Sequence, residues 1–152
     1  MRVDVRPADR VDIAVLVPLA DQARRSVRTE RGGAALLADL GLDGDVVSPR
    51  VDSPDDSTCV WSATIDDVVV GYLTAELDRT TRVVTIREVW VEDGAREIGA
   101  GEGLVSAALA WAITEGANAV DAYALPGARS VKNLYERLGL TARVITVRRD
   151  LG

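Results

Sequence analysis

The residues best suited to chemistry lie between positions 89 and 112, in the segment VWVEDGAREIGAGEGLVSAALAWA. Its pattern predicts a strand that passes through a glycine-bearing loop into a helix. Such a loop exposes backbone N–H groups, and the helix N-terminus adds partial positive charge, so the two together suit a phosphate or pyrophosphate. The glycines would let that group approach the backbone closely. Their G-x-G-x-G spacing departs from the dinucleotide fingerprint, and no Gly-Lys-Ser/Thr follows as in a P-loop.

The chain of 152 residues contains no histidine. This excludes Ser-His-Asp and Cys-His nucleophilic sites and histidine-based zinc sites as they are normally built, and we expect no metal. Acid–base chemistry is then left to Asp, Glu, Tyr, the single Lys132 or the lone Cys59. Cys59 has no neighbour that would activate a thiolate, so we interpret it as a small buried hydrophobe.

Hydrophobic periodicity and turn residues predict the elements that must position this loop. In chain order the predicted elements are a strand at 2–6, helices at 9–30 and 33–40, a loop at 41–56, strands at 58–65, 68–77 and 83–91, a helix at 101–115, a strand at 119–124, a helix at 130–138 and a strand at 142–149. An antiparallel meander followed by a β-α-β unit predicts an α/β (α+β) fold, a mixed and mostly antiparallel central sheet flanked by helices. The length predicts a single domain over residues 1–152.

Two motifs resemble those of a known enzyme family. The run Arg96, Glu97, Ile98, Gly99, Ala100 and Gly101 is R-x-x-G-x-G directly after a V-x-V strand. It resembles the acetyl-CoA pyrophosphate motif of the GNAT superfamily of N-acetyltransferases. The segment ARSVKNLYERLGL, residues 128–140, resembles that family's late helix, with Tyr135, Glu136 and Gly139 in register. The resemblance spans nearly the whole chain and implies a GNAT-like fold whose strands splay at the glycine loop.

The resemblance also implies a reaction and a cofactor site. We expect transfer of an acetyl group from acetyl-CoA, a cosubstrate, to an amine of a small molecule or peptide, by direct attack in a ternary complex. The implied cofactor-binding residues are the strand Val89, Trp90 and Val91, the loop residues Arg96 to Gly101 with Glu102, and Asn133. Backbone N–H groups of the strand would bind the thioester oxygen as it becomes an oxyanion, and the strand edge would pair with pantetheine.

Two residues carry the implied proton transfers. Tyr135 occupies the family's general-acid position and would protonate the departing CoA thiolate, although its helical face also suits a core residue. Glu88 is the candidate base that removes a proton from the incoming ammonium, since apolar neighbours raise the pKa of a carboxyl. An ion pair with a nearby Arg is the other interpretation of Glu88. Asp121 and Tyr123, on the next predicted strand, are alternative bases.

Departures from the family pattern keep a second function open. Ala128 and Leu140 stand where the late motif usually has Asn and Phe, and Glu97 and Glu102 flank the implied pyrophosphate site. Carboxylates so placed oppose the binding of an anion. The alternative is a catalytically weak GNAT-fold protein that binds CoA or a metabolite as a sensor or interaction module.

The overall composition limits which partners and which cellular location we expect for this protein. The formal net charge is −6 with no basic stripe, so we expect no nucleic-acid partner. No apolar run approaches 18 residues, and the first residues lack the apolar region of a signal peptide, so we expect no membrane association. A single cysteine indicates no oxidising compartment. We therefore expect a cytoplasmic protein that acts on an amine acceptor, and a homodimer remains open.

Overall fold

The computed structural model describes residues 2–42, 44–45 and 47–152. Within these residues a five-stranded sheet has the order β1-β2-β3-β4-β5. The strands are β1 (Val3–Pro7), β2 (Thr58–Ile65), β3 (Val68–Asp78), β4 (Val83–Val91) and β5 (Ala119–Ala122). All neighbours are antiparallel except β4 and β5, which are parallel. The predicted fold class, a mixed and mostly antiparallel sheet, is confirmed.

Helices cover both faces of the sheet. They are α1 (Ile13–Arg28), α2 (Gly33–Asp39), α3 (Val47–Asp52), α4 (Ala100–Thr114) and α5 (Arg129–Arg137). One core joins the sheet to α4 and α5 and includes Leu73, Leu104 and Tyr135. The other joins the opposite face to α1 and includes Leu16 and Tyr72. Because both faces are covered, β2 and β3 are buried on both sides, which explains their nearly continuous apolar runs.

The hairpin between β2 and β3 is tight because of its two turn residues. Ile65 pairs with Val68, which leaves only Asp66 and Asp67 in the turn. Both have positive φ, 49° and 67°, a geometry that matches the right-handed twist of the flanking strands. Aspartate tolerates this region better than most residues. The predicted strands at 58–65 and 68–77 left two residues between them, and the structure confirms this two-residue turn.

The predicted loop at 41–56 is wrong at its centre, where α3 forms. The Asp45 carboxylate accepts hydrogen bonds from the N–H groups of Val47 and Ser48, each at 3.0 Å, and so caps the helix. Pro49 then lies in the first turn, where a missing N–H leaves no bond unmade. The proline therefore marks a helix start rather than a loop. Asp43 and Val46, also in the predicted loop, lie outside the described residues.

The predicted final strand at 142–149 is also wrong. Residues after Leu140 have no regular secondary structure and pair with none of the described strands. Their apolar side chains are open to solvent, as at Val147, which is 88% exposed. Arg143 Nε lies 3.6 Å from Asp121, and an Arg148 nitrogen lies 3.0 Å from Asp39. Residues such as Val and Ile favour strands, but a strand also needs a hydrogen-bonded partner, which their propensity does not supply.

Among the residues that the structure describes, no helix combines the length and apolar character needed to span a membrane.

Candidate active site

On the side that faces β5, β4 has no strand partner over about half of its length. β4 pairs with β3 from Val83 to Val91, but with β5 only from Val83 to Ile86. Thr74 pairs with Glu88 and Ala75 with Ile86, so Arg87 is an extra, bulged residue where the pairing to β5 stops. β5 itself ends at Ala122, so from Arg87 to Val91 β4 has no strand partner on this side among the described residues, at the place where the family resemblance implies a splay. An unpaired edge of this kind presents backbone donors and acceptors to an extended ligand.

The glycine loop leads from this edge into α4. A 3-10 segment, Asp93–Ile98, is followed by Gly99 with φ of +91°, a conformation that favours glycine, and α4 begins at the next residue. Among the described residues, no side chain caps the helix N-terminus. A Cβ on Gly99 would meet nothing within 4 Å, so the space beside this residue is open. Gly99 and Glu102 are exposed at this end of the helix, whereas Ala100 and Gly101 are buried, so an anion would approach the uncapped N-terminus from the side of Gly99 and Glu102.

The other two glycines of the motif have packing roles. A Cβ on Gly101 would lie 3.1 Å from Leu134 Cδ2, and one on Gly103 would lie 3.0 Å from Val5 Cγ2. These distances are shorter than most contacts of a real Cβ, so glycine lets α4 lie close to α5 and β1. The motif thus combines one conformational glycine with two that serve helix packing.

Arg96, predicted to bind the cofactor, turns back onto the protein. Its Nε donates to the carbonyl of Val91 at 2.7 Å, and its Nη1 lies 2.8 Å from Asp93. The guanidinium also stands 4.5 Å from the centre of the Trp90 ring, a cation–π contact. These contacts tie the loop to the end of β4. The side chain therefore holds the loop against β4, and Gly99 remains exposed beside it.

The remaining residues that were predicted to bind the cofactor differ in their exposure to solvent. Glu97, Ile98 and Glu102 are exposed around the start of α4, and Asn133 is exposed on α5. Ala100 and Gly101 are buried, so neither the Ala100 side chain nor the backbone of either residue is presented to solvent in this structure.

A cavity of about 100 Å³ brings four of the predicted residues together: Glu88, Val89, Trp90 and Tyr135. It lies between α1, the α2 region and the open edge of β4, and Asn133 and the loop residues from Arg96 to Glu102 are not in its lining. Burial raises the pKa of Tyr135 above the ordinary value of a phenol, so the hydroxyl stays protonated at neutral pH. The indole Nε1 of Trp90 is buried with no hydrogen-bond partner among the described residues. A ligand in the cavity could satisfy this donor.

Glu88 belongs to a buried cluster, as the ion-pair interpretation expected, but the sequence did not identify its partners. Arg24 Nε donates to Glu88 Oε1 at 3.1 Å, and Arg24 Nη2 donates to Oε2 at 3.3 Å. The Tyr72 hydroxyl donates to Oε1 at 3.1 Å, and Arg24 Nη1 donates to the Gly44 carbonyl. The side chains of Arg24 and Glu88 are 3% and 8% exposed. Burial raises the pKa of Tyr72 well above its usual range, and the Glu88 charge adds to that shift.

A signal for Arg24 was present in the sequence. The apolar stripe of α1 includes Leu16 and Ala20, and Arg24 continues it one turn further. A cation on an apolar stripe needs a buried partner of opposite charge. The stripe therefore marks Arg24 as unusual, but it does not show that the partner is Glu88, 64 residues away. Tyr72 gave no comparable signal, because an aromatic residue in a central strand usually belongs to the core.

The two alternative bases lie farther out. Asp121, on β5, is 3.6 Å from Arg143. Tyr123 follows β5, is exposed, and lines the rim of the cavity.

Comparison with known proteins identifies the family. Residues 33–140 match the model of the acetyltransferase (GNAT) family, which is most of the chain. The chain belongs to the GNAT family of acetyltransferases. The predicted resemblance is therefore confirmed. Among curated proteins none gives a significant match.

Solved GNAT-like structures share the fold at low sequence identity. The aminoglycoside N-acetyltransferase AAC(6')-Iy in complex with CoA is 18% identical, with a TM-score of 0.67 over 97% of this chain and 100% of that one. A ribosomal-protein-alanine N-acetyltransferase from Brucella melitensis biovar Abortus 2308 is 16% identical, with a TM-score of 0.66 over 99% and 100%. A transcriptional regulator from Bacillus halodurans C-125 is 19% identical, with a TM-score of 0.67 over 99% and 100%. Proteins with such different names show that the shared fold does not set the acceptor.

Proposed function

We propose that this protein, as a single domain, transfers an acetyl group from acetyl-CoA to the amine of a small molecule or peptide. The observation that carries the proposal is the open edge of β4 beside the bulge at Arg87, which borders the cavity that contains Tyr135. Family membership supports the same reaction. The uncapped start of α4 supports a pyrophosphate site at the end of the same edge.

The proposed reaction is direct. The amine nitrogen bonds to the acetyl carbonyl carbon, the carbon–sulfur bond breaks, and CoA leaves as a thiolate that takes a proton. Backbone N–H groups on the open edge, within Val89–Val91, would bind the oxygen as it gains negative charge. The Tyr135 hydroxyl would protonate the thiolate. Burial raises the pKa of this phenol, which keeps it protonated at neutral pH but makes it a weaker acid than an exposed tyrosine, so the Tyr135→Phe variant tests this step directly. The proton lost by the attacking ammonium balances the one that the phenol gives up.

The contacts of Glu88 favour an ion-pair role over the base role predicted from the sequence. Both carboxylate oxygens accept hydrogen bonds, from Arg24 and from Tyr72. We propose that Glu88 fixes the cavity wall and that the amine loses its proton to water. The pH dependence of a Glu88 variant, described in the Discussion, separates the two roles.

The test of the function begins with binding. Millimolar acetyl-CoA should raise the melting temperature, since a ligand at 100 times its dissociation constant adds about 2.7 kcal/mol. Release of free CoA thiol in the presence of an amine panel should follow. Tyr135→Phe keeps the ring and should lower kcat by about 10²-fold or more with little change in the KM for acetyl-CoA. Absence of any thermal shift would overturn the cofactor assignment, and an unchanged kcat would return Tyr135 to the core.

A CoA-binding protein without turnover is the second candidate. Two observations favour it: Glu88 is already bound on both oxygens, and Glu97 and Glu102 stand exposed beside the proposed pyrophosphate site. A thermal shift with acetyl-CoA but no thiol release with any amine would support this candidate.

A further inference from the structure

The wall of the cavity formed by α1 and the α2 region is apolar. It consists of Val27 and the leucines Leu36, Leu37, Leu40 and Leu42, and it bounds the same cavity as the open edge of β4. Leu37 and Leu42 are buried in the core, whereas Leu36 and Leu40 are only partly buried. If the acetyl thioester lies along β4, an attacking amine must place its substituent against these leucines.

The charged groups of the cavity balance one another. Its lining contains Arg24, Arg87, Glu30 and Glu88, two cations and two anions. Glu88 is bound by Arg24 and Tyr72, as described above, and Arg87 Nη1 donates to Glu76 at 2.6 Å. Glu30 has no ion-pair partner among the described residues, so the lining offers one unpaired carboxylate. One ammonium group can approach it, whereas each further ammonium group of a polycation would exchange its water shell for leucine side chains and for a Glu88 already paired with Arg24. Burial of an unpaired charge in this way is strongly unfavourable.

We propose that the acceptor is a monoamine carried on a short apolar group, a branched alkyl chain or a single aromatic ring, with no second charge. This inference rests on the proposed acetyl transfer. The apolar wall supplies the contact surface, the paired charges of the lining disfavour polycations, and the small cavity, about 100 Å³, favours a small substituent over a large one. The acceptor class thus differs from that of an aminoglycoside.

The first test is a homologous series of amines. Thiol release from acetyl-CoA is measured with methylamine, ethylamine, propylamine, 3-methylbutylamine and 2-phenylethylamine, and with the aminoglycoside neamine as the polycationic competitor class. The specificity constant kcat/KM should rise about fourfold for each added methylene until the cavity is filled. Neamine should be a poorer substrate than propylamine. A flat series, or a larger kcat/KM for neamine than for 3-methylbutylamine, would overturn the inference.

A matched pair of variants tests whether the leucine wall is responsible. Leu36→Ala shortens a partly buried side chain in the lining and should lower kcat/KM for 3-methylbutylamine about tenfold, with less than a twofold change for methylamine. Leu109→Ala makes the same change in α4, outside the lining, and should affect both amines equally. Equal effects of Leu36→Ala on the two amines would show that the substituent does not contact this wall.

A binding measurement separates this inference from the proposed function. Melting temperatures are compared for the protein with CoA alone, with CoA plus 2-phenylethylamine, and with CoA plus neamine. If no amine releases thiol but 2-phenylethylamine alone adds to the shift, the inferred binding of an apolar monoamine stands and the catalytic proposal fails. If neamine releases thiol fastest, the catalytic proposal stands and the acceptor inference fails. If neither amine releases thiol or adds to the shift, both fail.

Discussion

Replacing Glu88 with glutamine removes one charge of the buried pair with Arg24 and retains the shape of the side chain. The two partners are 3% and 8% exposed, and two Arg24 nitrogens bind the carboxylate at 3.1 and 3.3 Å. Breaking a buried pair from one side costs about 3–5 kcal/mol, because the other charge stays buried without compensation. Glutamine still accepts one hydrogen bond, so we expect about 3 kcal/mol. At about 2–4 °C per kcal/mol for a domain of this size, the melting temperature should fall by about 6–12 °C.

The assay combines thermal unfolding with a pH–rate profile of the same variant. An ion-pair role predicts a deficit in kcat/KM that is constant from pH 6.5 to pH 10, together with the lowered melting temperature. A base role predicts a deficit that shrinks near pH 10, because an alkyl amine with a pKa of about 10.4 then loses its proton without help. An unchanged melting temperature with a shrinking deficit would refute the reasoning and restore Glu88 as the base.

Two further variants control for side-chain loss. Arg24→Met leaves the carboxylate unpaired and should destabilise as strongly as Glu88→Gln. The double variant Arg24→Met/Glu88→Leu removes both charges and should be more stable than Arg24→Met alone, because no buried charge is left. Additive losses in the double variant would show that the two side chains do not act as a pair.

Three other outcomes follow from the described contacts. Arg6 donates to Asp12 at 2.6 and 2.8 Å and holds the pKa of that carboxyl below its usual range, so the stability from this contact exists above about pH 4 and is lost as pH falls through the lowered pKa. Asp12→Asn should therefore lower the free energy of unfolding by only about 1 kcal/mol at pH 7, because Arg6 is 42% exposed and its charge is partly screened. At acid pH the carboxyl is protonated and the substitution should have no effect, and urea unfolding at the two pH values measures the difference. Glu102→Gln removes a negative charge at the start of α4, so acetyl-CoA should bind up to about fivefold more tightly, as measured by calorimetry. Weaker binding by this variant would show that the pyrophosphate lies elsewhere. Deleting residues 141–152 removes two exposed ion pairs and should lower the melting temperature by less than about 4 °C, whereas a larger loss would mean that the segment is packed.

Local patterns in the sequence determined the strands and the glycine loop. The bounds of β2 and β4 agree with prediction at both ends, because apolar runs rich in Val, Ile and Thr are bounded there by turn residues. The start of α4 was predicted to within one residue, since Gly99 marks the break before a helical pattern. These features depend on a few neighbouring residues, so the sequence carries them directly.

Pairing between distant segments was decided only by the tertiary structure. The Arg24–Glu88 pair joins residues 64 positions apart, and no local period encodes such a contact. The same reason explains residues 142–149, whose composition favours a strand but which have no partner among the described strands. It also explains the cavity, whose leucines come from the α2 region while Tyr135 comes from α5. Periodicity predicts which side of an element is buried, whereas the packed chain determines what that side contacts.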